Sequence, residues 1–371
     1  MRALDGGRYP PPCPVEPGLS SNYCKQQSAT IRPACEHFQY TIFPGYMGLD
    51  YMTTVFNLGM MNMDLDWKNP KDNSDFKGGI CTFGNFDGVH LGHQNLISQA
   101  SDLSEKLAIP CVAITFHPHP AKILRPEKAP VALSTLEQKI SLLKKAGADH
   151  VLTLNTADGL LDLEAKDFFE RVVAESLGAK ALLEGPGFRF GKNRTGDANL
   201  LDSLCKSAGM QFFEAKPFEM DGGILSSTRI RNALNQGNLD CANRWLGRNY
   251  SITGTVVQGA QRGRSLGFPT ANLEKISTAI PQSGVYAGFC QWGQSNYPAA
   301  IHIGPNPTFG EQAAKVEIHL LGFSGDLYGT RLEIHFFKKI RDIFKFEGKE
   351  ALIKQLESDR EATRKIFGNF H

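Results

Sequence analysis

The chain reads as an α/β protein: a doubly wound parallel sheet, then a small antiparallel β-barrel that ends on a helix. Three observations predict this. At 371 residues the chain exceeds one ordinary hydrophobic core. Between Gly79 and Arg248 short apolar runs alternate with amphipathic stretches, the pattern of strands and covering helices in a parallel sheet. After Tyr250 the runs become short, β-rich and punctuated by Gly, Pro and Asn, and one long amphipathic stretch closes the chain. The expected divisions are residues 1–78, 79–248 and 249–371.

Residues 1–78 show no steady period. The segment opens on "PPPCP", and the prolines beside Cys13 rule out a regular helix linking it to Cys24 and Cys35. Met60, Met61 and Met63 stand just before the first convincing strand. This zone reads as an irregular extension, disordered or encoded upstream of the true start.

In the second zone "GICTF" is the first strand, and "HQNLISQASDLSEKLA" is a helix with Leu96, Ala100, Leu103 and Leu107 on one face. The strand "CVAITF" follows. "STLEQKISLLKKAG" opens on a Ser134/Glu137 capping-box pattern and stops at Gly147. The rhythm continues through strand "HVLTL", helix "AKDFFERVVAESLG", strand "KALLEG", helix "DANLLDSLCKSAG" and strand "QFFEAKPF". A helical pair, "STRIRNALNQG" and "NLDCANRWLG", closes the zone. In the third zone "SITGTVVQG", "GVYAGFCQWG", "YPAAIHIG", "KVEIHLLGF" and "TRLEIHFF" read as strands of a barrel or sandwich. The last helix, "GKEALIKQLESDREATRKIF", is expected to point Leu352, Leu356 and Ile366 inward and its charges outward.

Forty Lys and Arg against 38 Asp and Glu give a net charge of +2, which argues against a large basic surface for nucleic acid. The eight cysteines include no C-x-x-C pair, as expected for reduced cytosolic thiols. "YMTTVFNLGMMNM" is too short to span a bilayer, and no basic segment of signal-peptide type precedes it. The expectation is a cytoplasmic protein with small-molecule partners and no membrane or nucleic-acid partner.

The stretch "GNFDGVHLGH", Gly84 to His93, joins a strand to a helix. In open α/β sheets ligands bind beyond the carboxyl ends of the strands, where helix N-termini offer free N–H groups and a positive dipole end. His90 and His93 can donate there to phosphate oxygens, and Gly84, Gly88 and Gly92 allow a ligand to approach the backbone. A metal would need further ligands; "FHPHP", Phe116 to Pro120, held extended by its prolines, could bring His119 close. The strand–Gly-loop–helix context favours phosphate. In "SSTRIR", Ser226 or Ser227 caps a helix and Arg231, one turn in, can reach a triphosphate.

In "GTVVQGAQRGRSLGFPTANL", Thr270 and Asn272 point the same way if extended. Their hydroxyl and amide oxygens are hard donors suited to Mg²⁺ carrying a nucleotide. Gly259 and Gly263 free backbone N–H groups, Arg262 and Arg264 add positive charge, and no Walker A loop is present. In "KVEIHLL", core residues Val316, Ile318 and Leu320 alternate with Glu317 and His319. Glu317 is either an ordinary solvent-facing strand residue or a carboxylate able to take a proton from an attacking hydroxyl.

"GNFDGVHLGH" resembles the G-x-F-D-G-x-H-x-G-H signature of the flavin adenylyltransferase module, within the H-x-G-H nucleotidylyltransferase superfamily. "FHPHP" resembles its F-x-P-H-P, "GPGFRFG" its G-x-D/N-F-x-F-G loop, and "SSTRIR" its S-S-T-x-x-R. The resemblance implies that Gly84, Phe86, Asp87, Gly88, Gly92, His119, Gly187, Phe188, Gly191, Ser227 and Thr228 bind nucleotide or flavin. It implies that His90, His93 and Arg231 stabilise charge on a triphosphate. Gly187 departs from the family's Asp or Asn, which would cost about 0.5–1.5 kcal/mol if a neutral hydrogen bond is lost.

The third zone resembles the riboflavin kinase module through "GFPTAN", "GVYAG", "IGPNPTF", "VEIHLL", "GDLYG" and "IRDIFKF". That implies Gly259, Arg262, Gly263, Arg264, Gly267 and Pro269 around nucleotide or flavin. It also implies Thr270 and Asn272 on Mg²⁺–nucleotide and Glu317 as base on the ribityl 5′-hydroxyl. Together the chain resembles the bifunctional riboflavin kinase/FAD synthetase family over residues 79 to 368. The family implies an enzyme that uses ATP to turn riboflavin into FMN, then FMN into FAD and pyrophosphate. The alternative is a riboflavin kinase whose adenylyltransferase is weakened or inactive through Gly187. A non-catalytic flavin- or nucleotide-binding regulator and a cytidylyltransferase fit less well, because Thr270, Asn272 and Glu317 sit in an attached kinase-like module.

Overall fold

The computed structural model describes residues 63–70, 75–259, 263, 266–305 and 314–368. The expectations for residues 1–62, for Arg262 and Arg264, and for the Asn306–Phe309 part of "IGPNPTF" lie outside the described residues.

Six parallel strands form the first sheet: β1 (Met63–Asp64), β2 (Ile80–Gly84), β3 (Cys111–His117), β4 (His150–Asn155), β5 (Ala181–Glu184) and β6 (Gln211–Glu214). Their order is β1-β4-β3-β2-β5-β6. Ile80, Cys81, Val112, Ala113 and Ile114 are all fully buried. Such strands read as continuous apolar runs because helices cover both faces. The chain builds outward from β2 through β3 to β4, then crosses back to lay β5 on the other side of β2. The reversal opens a crevice at the carboxyl ends of β2 and β5, where a doubly wound fold binds ligands.

Residues 63–70 and 75–78 are more ordered than their aperiodic sequence predicts. β1 pairs in register with Leu152 and Thr153 of β4, and Leu65, Trp67 and Phe76 join the core under the sheet. Two residues of strand are too few to show a period, so the edge strand was invisible in sequence.

The covering helices are α1 (Leu91–Leu107), α2 (Pro120–Leu124), α3 (Leu136–Lys145), α4 (Ala165–Phe168), α5 (Ala198–Ser207), α6 (Ser227–Asn235) and α7 (Leu239–Leu246). Three differ from expectation. α2 begins at Pro120, where the chain was expected to be extended. The capping box of α3 is Thr135/Gln138, one residue beyond the expected pair. Ser134 is unavailable as a cap because it is buried and its Oγ accepts the Gly88 N–H at 3.2 Å. α4 runs into π-helical turns over Phe169–Ser176. There Ser176 Oγ donates to the carbonyl of Arg171, five residues back, at 2.7 Å.

Six antiparallel strands close a barrel in the order β10-β11-β8-β7-β12-β9. They are β7 (Tyr250–Val257), β8 (Ala271–Glu274), β9 (Gly284–Trp292), β10 (Ser295–Gly304), β11 (Lys315–Leu320) and β12 (Arg331–Arg341). Closure removes the sheet edges and decides for barrel over sandwich. β7 alternates strictly, with Tyr250, Ile252 and Val256 buried, as period-two side chains require.

The last helix, α8 (Lys349–Phe367), buries Leu352, while Leu356 and Ile366 are only half-buried. Its charges do not all face outward. Asp359 is 2% exposed and takes a fork of hydrogen bonds from Arg341 Nε at 2.9 Å and Nη2 at 2.7 Å, which ties α8 to β12. A carboxylate this buried needs such a partner.

One core runs through both halves. Ile230, Ala233 and Leu234 of α6 and Leu239, Ala242 and Leu246 of α7 pack in the same buried cluster as Tyr250, Ile252, Ile334 and Phe336 of the barrel. Main-chain bonds reinforce the join: Gln282 N–H to Leu234 O at 2.9 Å and Ala279 N–H to Ala132 O at 2.8 Å.

Candidate functional site

A cleft of about 540 Å³ opens at the carboxyl end of β2 and β5, where the topology places it. Eight of the expected residues line it: Asp87, His90, Gly92, His93, His119, Ser227, Thr228 and Arg231. They come from three separate segments of the chain, and the sheet's reversal is what gathers them.

His90 is the N-cap of α1, and its Nδ1 accepts the His93 backbone N–H at 3.3 Å. That bond fixes the proton on Nε2. The two imidazoles stack, with centroids 3.6 Å apart. Burial, with Arg248 nearby, pulls the His90 pKa down to about 4. Burial, with His90 and then Lys139 beside it, holds His93 well below its ordinary value. Both rings are therefore neutral at neutral pH and act as hydrogen-bonding groups. His119 caps α2 by accepting the Ala121 N–H at 3.1 Å, and Pro120 occupies the first helical position instead of extending the chain.

Arg231 meets the histidine loop from the other side. Its Nη2 pairs with Asp87 Oδ2, and its Nε donates to Val131 O at 2.7 Å. Asp87 Oδ1 accepts the Leu133 N–H at 2.8 Å, and Ser227 Oγ donates to Asp87 O at 2.9 Å. Ser226, not Ser227, caps α6. The "SSTRIR" stretch thus splits its labour: one serine for the helix, one for the loop, and an arginine between them and the cleft.

Several expected ligand contacts have a different physical reason. A Cβ on Gly84 would lie 2.9 Å from the Phe86 ring, and Phe86 itself is 1% exposed, edge-on to His93. A Cβ on Gly88 would strike Leu133 at 3.0 Å, and one on Gly92 the His90 ring at 3.2 Å. These glycines make room for the protein's own side chains. Gly191, at φ +71°, would meet the Ala165 backbone at 2.5 Å, and Phe188 stacks on Phe190. Gly187 has φ +79° with open space around it, at the third place of a turn closed by Phe188 N–H to Gly185 O. Pro at the second place and a positive φ at the third suit that turn. Asn and Asp also tolerate this conformation, so the departure from the family keeps the backbone and drops only a side chain.

Sequence reasoning missed Lys139 and Arg248. Lys139 is buried on α3, beside Ile140 and four residues before Leu143; a lysine on that apolar stripe was the available signal. Its Nζ donates to Thr115 Oγ1 at 3.2 Å, and burial lowers its pKa to about 8 against the pull of Asp87. Arg248 had no signal, because its contacts are with main-chain oxygens.

At the lip of the barrel, register builds the second site. Asn272 of β8 and His302 of β10 stand directly opposite Glu317 of β11, on its two sides. Thr270 comes just before β8. A Cβ on Gly259 would lie 2.1 Å from Asn272 Nδ2, and one on Gly263 would lie 3.2 Å from Thr270 Oγ1. Gly259 and Gly263 therefore lie close against these two side chains, where the lack of a Cβ makes room. Gly267 takes φ +84°. Pro269 O meets His319 Nδ1 at 2.8 Å, and Phe268 sits edge-on to the same imidazole. Among the described residues no group of three His, Cys, Asp or Glu side chains is arranged to hold a metal ion. The hydroxyl and amide at the barrel lip suit a hard cation that phosphates also bind.

Two family models match the chain, FAD synthetase over residues 72–229 and riboflavin kinase over residues 246–367. The bifunctional riboflavin kinase/FMN adenylyltransferase of Pseudomonas fluorescens is 36% identical over 293 residues, covering 79% of this chain and 94% of that protein. The chain belongs to the bifunctional riboflavin kinase/FMN adenylyltransferase family. The member from Bacillus subtilis is 35% identical over 296 residues, covering 78% of this chain and 93% of that one. A crystal structure described as a macrolide-efflux protein from Streptococcus pneumoniae matches with a TM-score of 0.71 and 29% identity. That match covers 81% of this chain and 97% of that chain. No helix among the described residues is long and apolar enough to cross a membrane. The FAD synthetase and riboflavin kinase domains are both present, as in the bifunctional relatives, and this supports two activities over a kinase with a weakened partner.

Proposed function

We propose that the barrel half, residues 249–371, transfers the γ-phosphoryl of ATP to riboflavin and the sheet half, residues 79–248, adenylylates the FMN so formed. In the first step the ribityl 5′-hydroxyl attacks the γ-phosphorus, the bond to the β-phosphate oxygen breaks, and ADP leaves. Glu317 takes or orients the hydroxyl proton. Thr270 and Asn272 would hold Mg²⁺ with the nucleotide, where it offsets phosphate charge. Gly259 and Gly263, close against those two side chains, would offer backbone N–H groups to the phosphates.

In the second step a phosphate oxygen of FMN attacks the α-phosphorus of ATP, and pyrophosphate departs. FMN supplies the nucleophile, so no side chain is needed for that role. His90 and His93, neutral and placed at the N-terminus of α1, donate hydrogen bonds to the phosphates as charge moves onto the leaving group. Arg231 adds a guanidinium held in place by Asp87. Cys81, Cys111, Cys205, Cys241 and Cys290 are free thiols, which suits a reducing cytoplasm.

The observation that carries the reading is the presence of two distinct sites, a histidine cleft at the sheet's switch point and a carboxylate beside an oxygen pair at the barrel lip. Purified protein with ATP and Mg²⁺ tests it, with riboflavin and FMN supplied separately. Riboflavin should yield FMN and then FAD, and FMN should yield FAD with pyrophosphate. FMN that persists unconverted would sink the second step.

A further inference from the structure

The loop that carries the histidines is held in an unusual backbone shape. Phe86, Gly88 and Val89 all have positive φ, at 45°, 77° and 39°. For Val89, β-branched and fully buried, this is a marked outlier. Such strain persists only where the surroundings over-determine it. The groups that do so are identifiable. Arg248 Nη2 donates to Gly88 O at 2.6 Å, and its Nη1 donates to Val89 O and to Leu246 O, each at 3.2 Å. Gln94 of α1 adds bonds to Val89 O at 2.8 Å and Leu246 O at 2.9 Å.

Arg248 lies beyond the FAD synthetase match and inside the riboflavin kinase match. The start of the barrel fixes it in place. Gly247 ends α7 in the left-handed region, and the Arg248 N–H bonds to Asn243 O at 3.2 Å. Asn243 Oδ1 accepts the Tyr250 N–H at 2.7 Å, and its Nδ2 donates to Phe336 O of β12 at 3.0 Å. A rigid path thus leads from barrel strands β7 and β12, through Asn243, to the guanidinium that grips the two peptides before His90.

We infer that Arg248, at the junction with the barrel and beyond the FAD synthetase match, is a positioning residue for FMN adenylylation, clamping the strained Gly88–Val89 peptides so that His90 and His93 face the phosphates. The inference rests on the reading of the histidine cleft as the adenylylation site. The guanidinium fits this task better than an ammonium. Its planar fork spans two neighbouring carbonyls at once, and it stays charged where burial has lowered its pKa only to about 10. It touches neither substrate in this reading and acts through the loop.

The test uses the full chain with Arg248→Met, Arg248→Lys and, as a control on the site itself, His93→Ala. FMN adenylylation and riboflavin phosphorylation are measured on each preparation, together with the urea unfolding midpoint. For Arg248→Met, kcat for adenylylation should fall on the order of 100-fold, the scale of a 1 Å misplacement. The KM for FMN should change little, riboflavin phosphorylation should stay within about twofold, and Arg248→Lys should recover part of the loss. Adenylylation within about threefold of wild type would overturn the inference, because Gln94 alone would then suffice to hold the loop. Equal loss of both activities would also overturn it, in favour of a general folding role. Loss in His93→Ala but not in Arg248→Met removes the inference alone, whereas full activity in both removes the reading of the cleft as well.

Discussion

The two sites are made in opposite ways. At the histidine cleft, side chains are buried, paired and electrically quiet: both imidazoles are kept neutral, and Arg231 is matched by Asp87. At the barrel lip, strand register does the arranging, setting Asn272 and His302 either side of Glu317, with Gly259 and Gly263 close against Asn272 and Thr270. The contrast suits the two reactions proposed for them. Adenylylation brings its own nucleophile, so the protein has to hold charge in fixed directions. Phosphorylation starts from a neutral hydroxyl, so a carboxylate able to take a proton has to stand beside the nucleotide.

The largest effect should come from Glu317→Gln, which removes the proton acceptor while keeping the shape of the side chain. Riboflavin phosphorylation should fall by roughly 10²–10⁴-fold, and FAD formation from supplied FMN should be untouched. A matching fall in FAD formation would break the separation of the two sites. Substrate conversion followed by chromatography decides it.

The electrical quiet of the cleft has a signature in stability. His90 titrates near 4 in the folded chain against 6.5 when free, so the unfolded state takes up its proton first. The stabilisation is fully present above the free value and drains away as pH falls toward the folded one. Between about pH 7 and about pH 5 the loss from this group should be about 2 kcal/mol. His90→Asn keeps a good N-cap but does not titrate, so it should flatten that part of the acid limb in urea unfolding. An unchanged slope would mean that His90 is not the neutral cap described.

The smallest change expected is at Gly187→Asn, which restores a side chain where the family has one. At φ +79° asparagine is tolerated, and stability should move by less than about 1 kcal/mol. Adenylylation KM should drop by about 2- to 10-fold, the value of one neutral hydrogen bond. A rise in KM instead would show that the open space around Gly187 is itself needed.

Most of the architecture was legible in the sequence because its signals are local. Alternation of strand and helix gave the parallel sheet, period-two runs gave the barrel strands, and the place of the histidine loop between strand and helix was plain. What escaped notice depended on distant partners. The α3 cap shifted by a residue because Ser134 is claimed by Gly88, 46 positions away. Asp359 turned inward because Arg341 waits on another element. The glycines of the histidine loop were expected to admit a ligand; the space at Gly88 is also needed by Leu133, a neighbour 45 positions away. Arg248 grips carbonyl oxygens, which every residue carries and no pattern marks.

The helix pair α6–α7 packs Ile230, Leu234, Leu239 and Leu246 into one buried cluster with the barrel strands. A shuffled gene that joined this barrel to a different partner would therefore inherit an uncovered apolar face, and so would a sheet domain cut away at residue 248. Each half is thus a standing constraint on how far the other can drift. Substitutions in Leu234 or Phe336 are tolerated or rejected by the joint packing of both, so the two enzymes are bound to change as a pair.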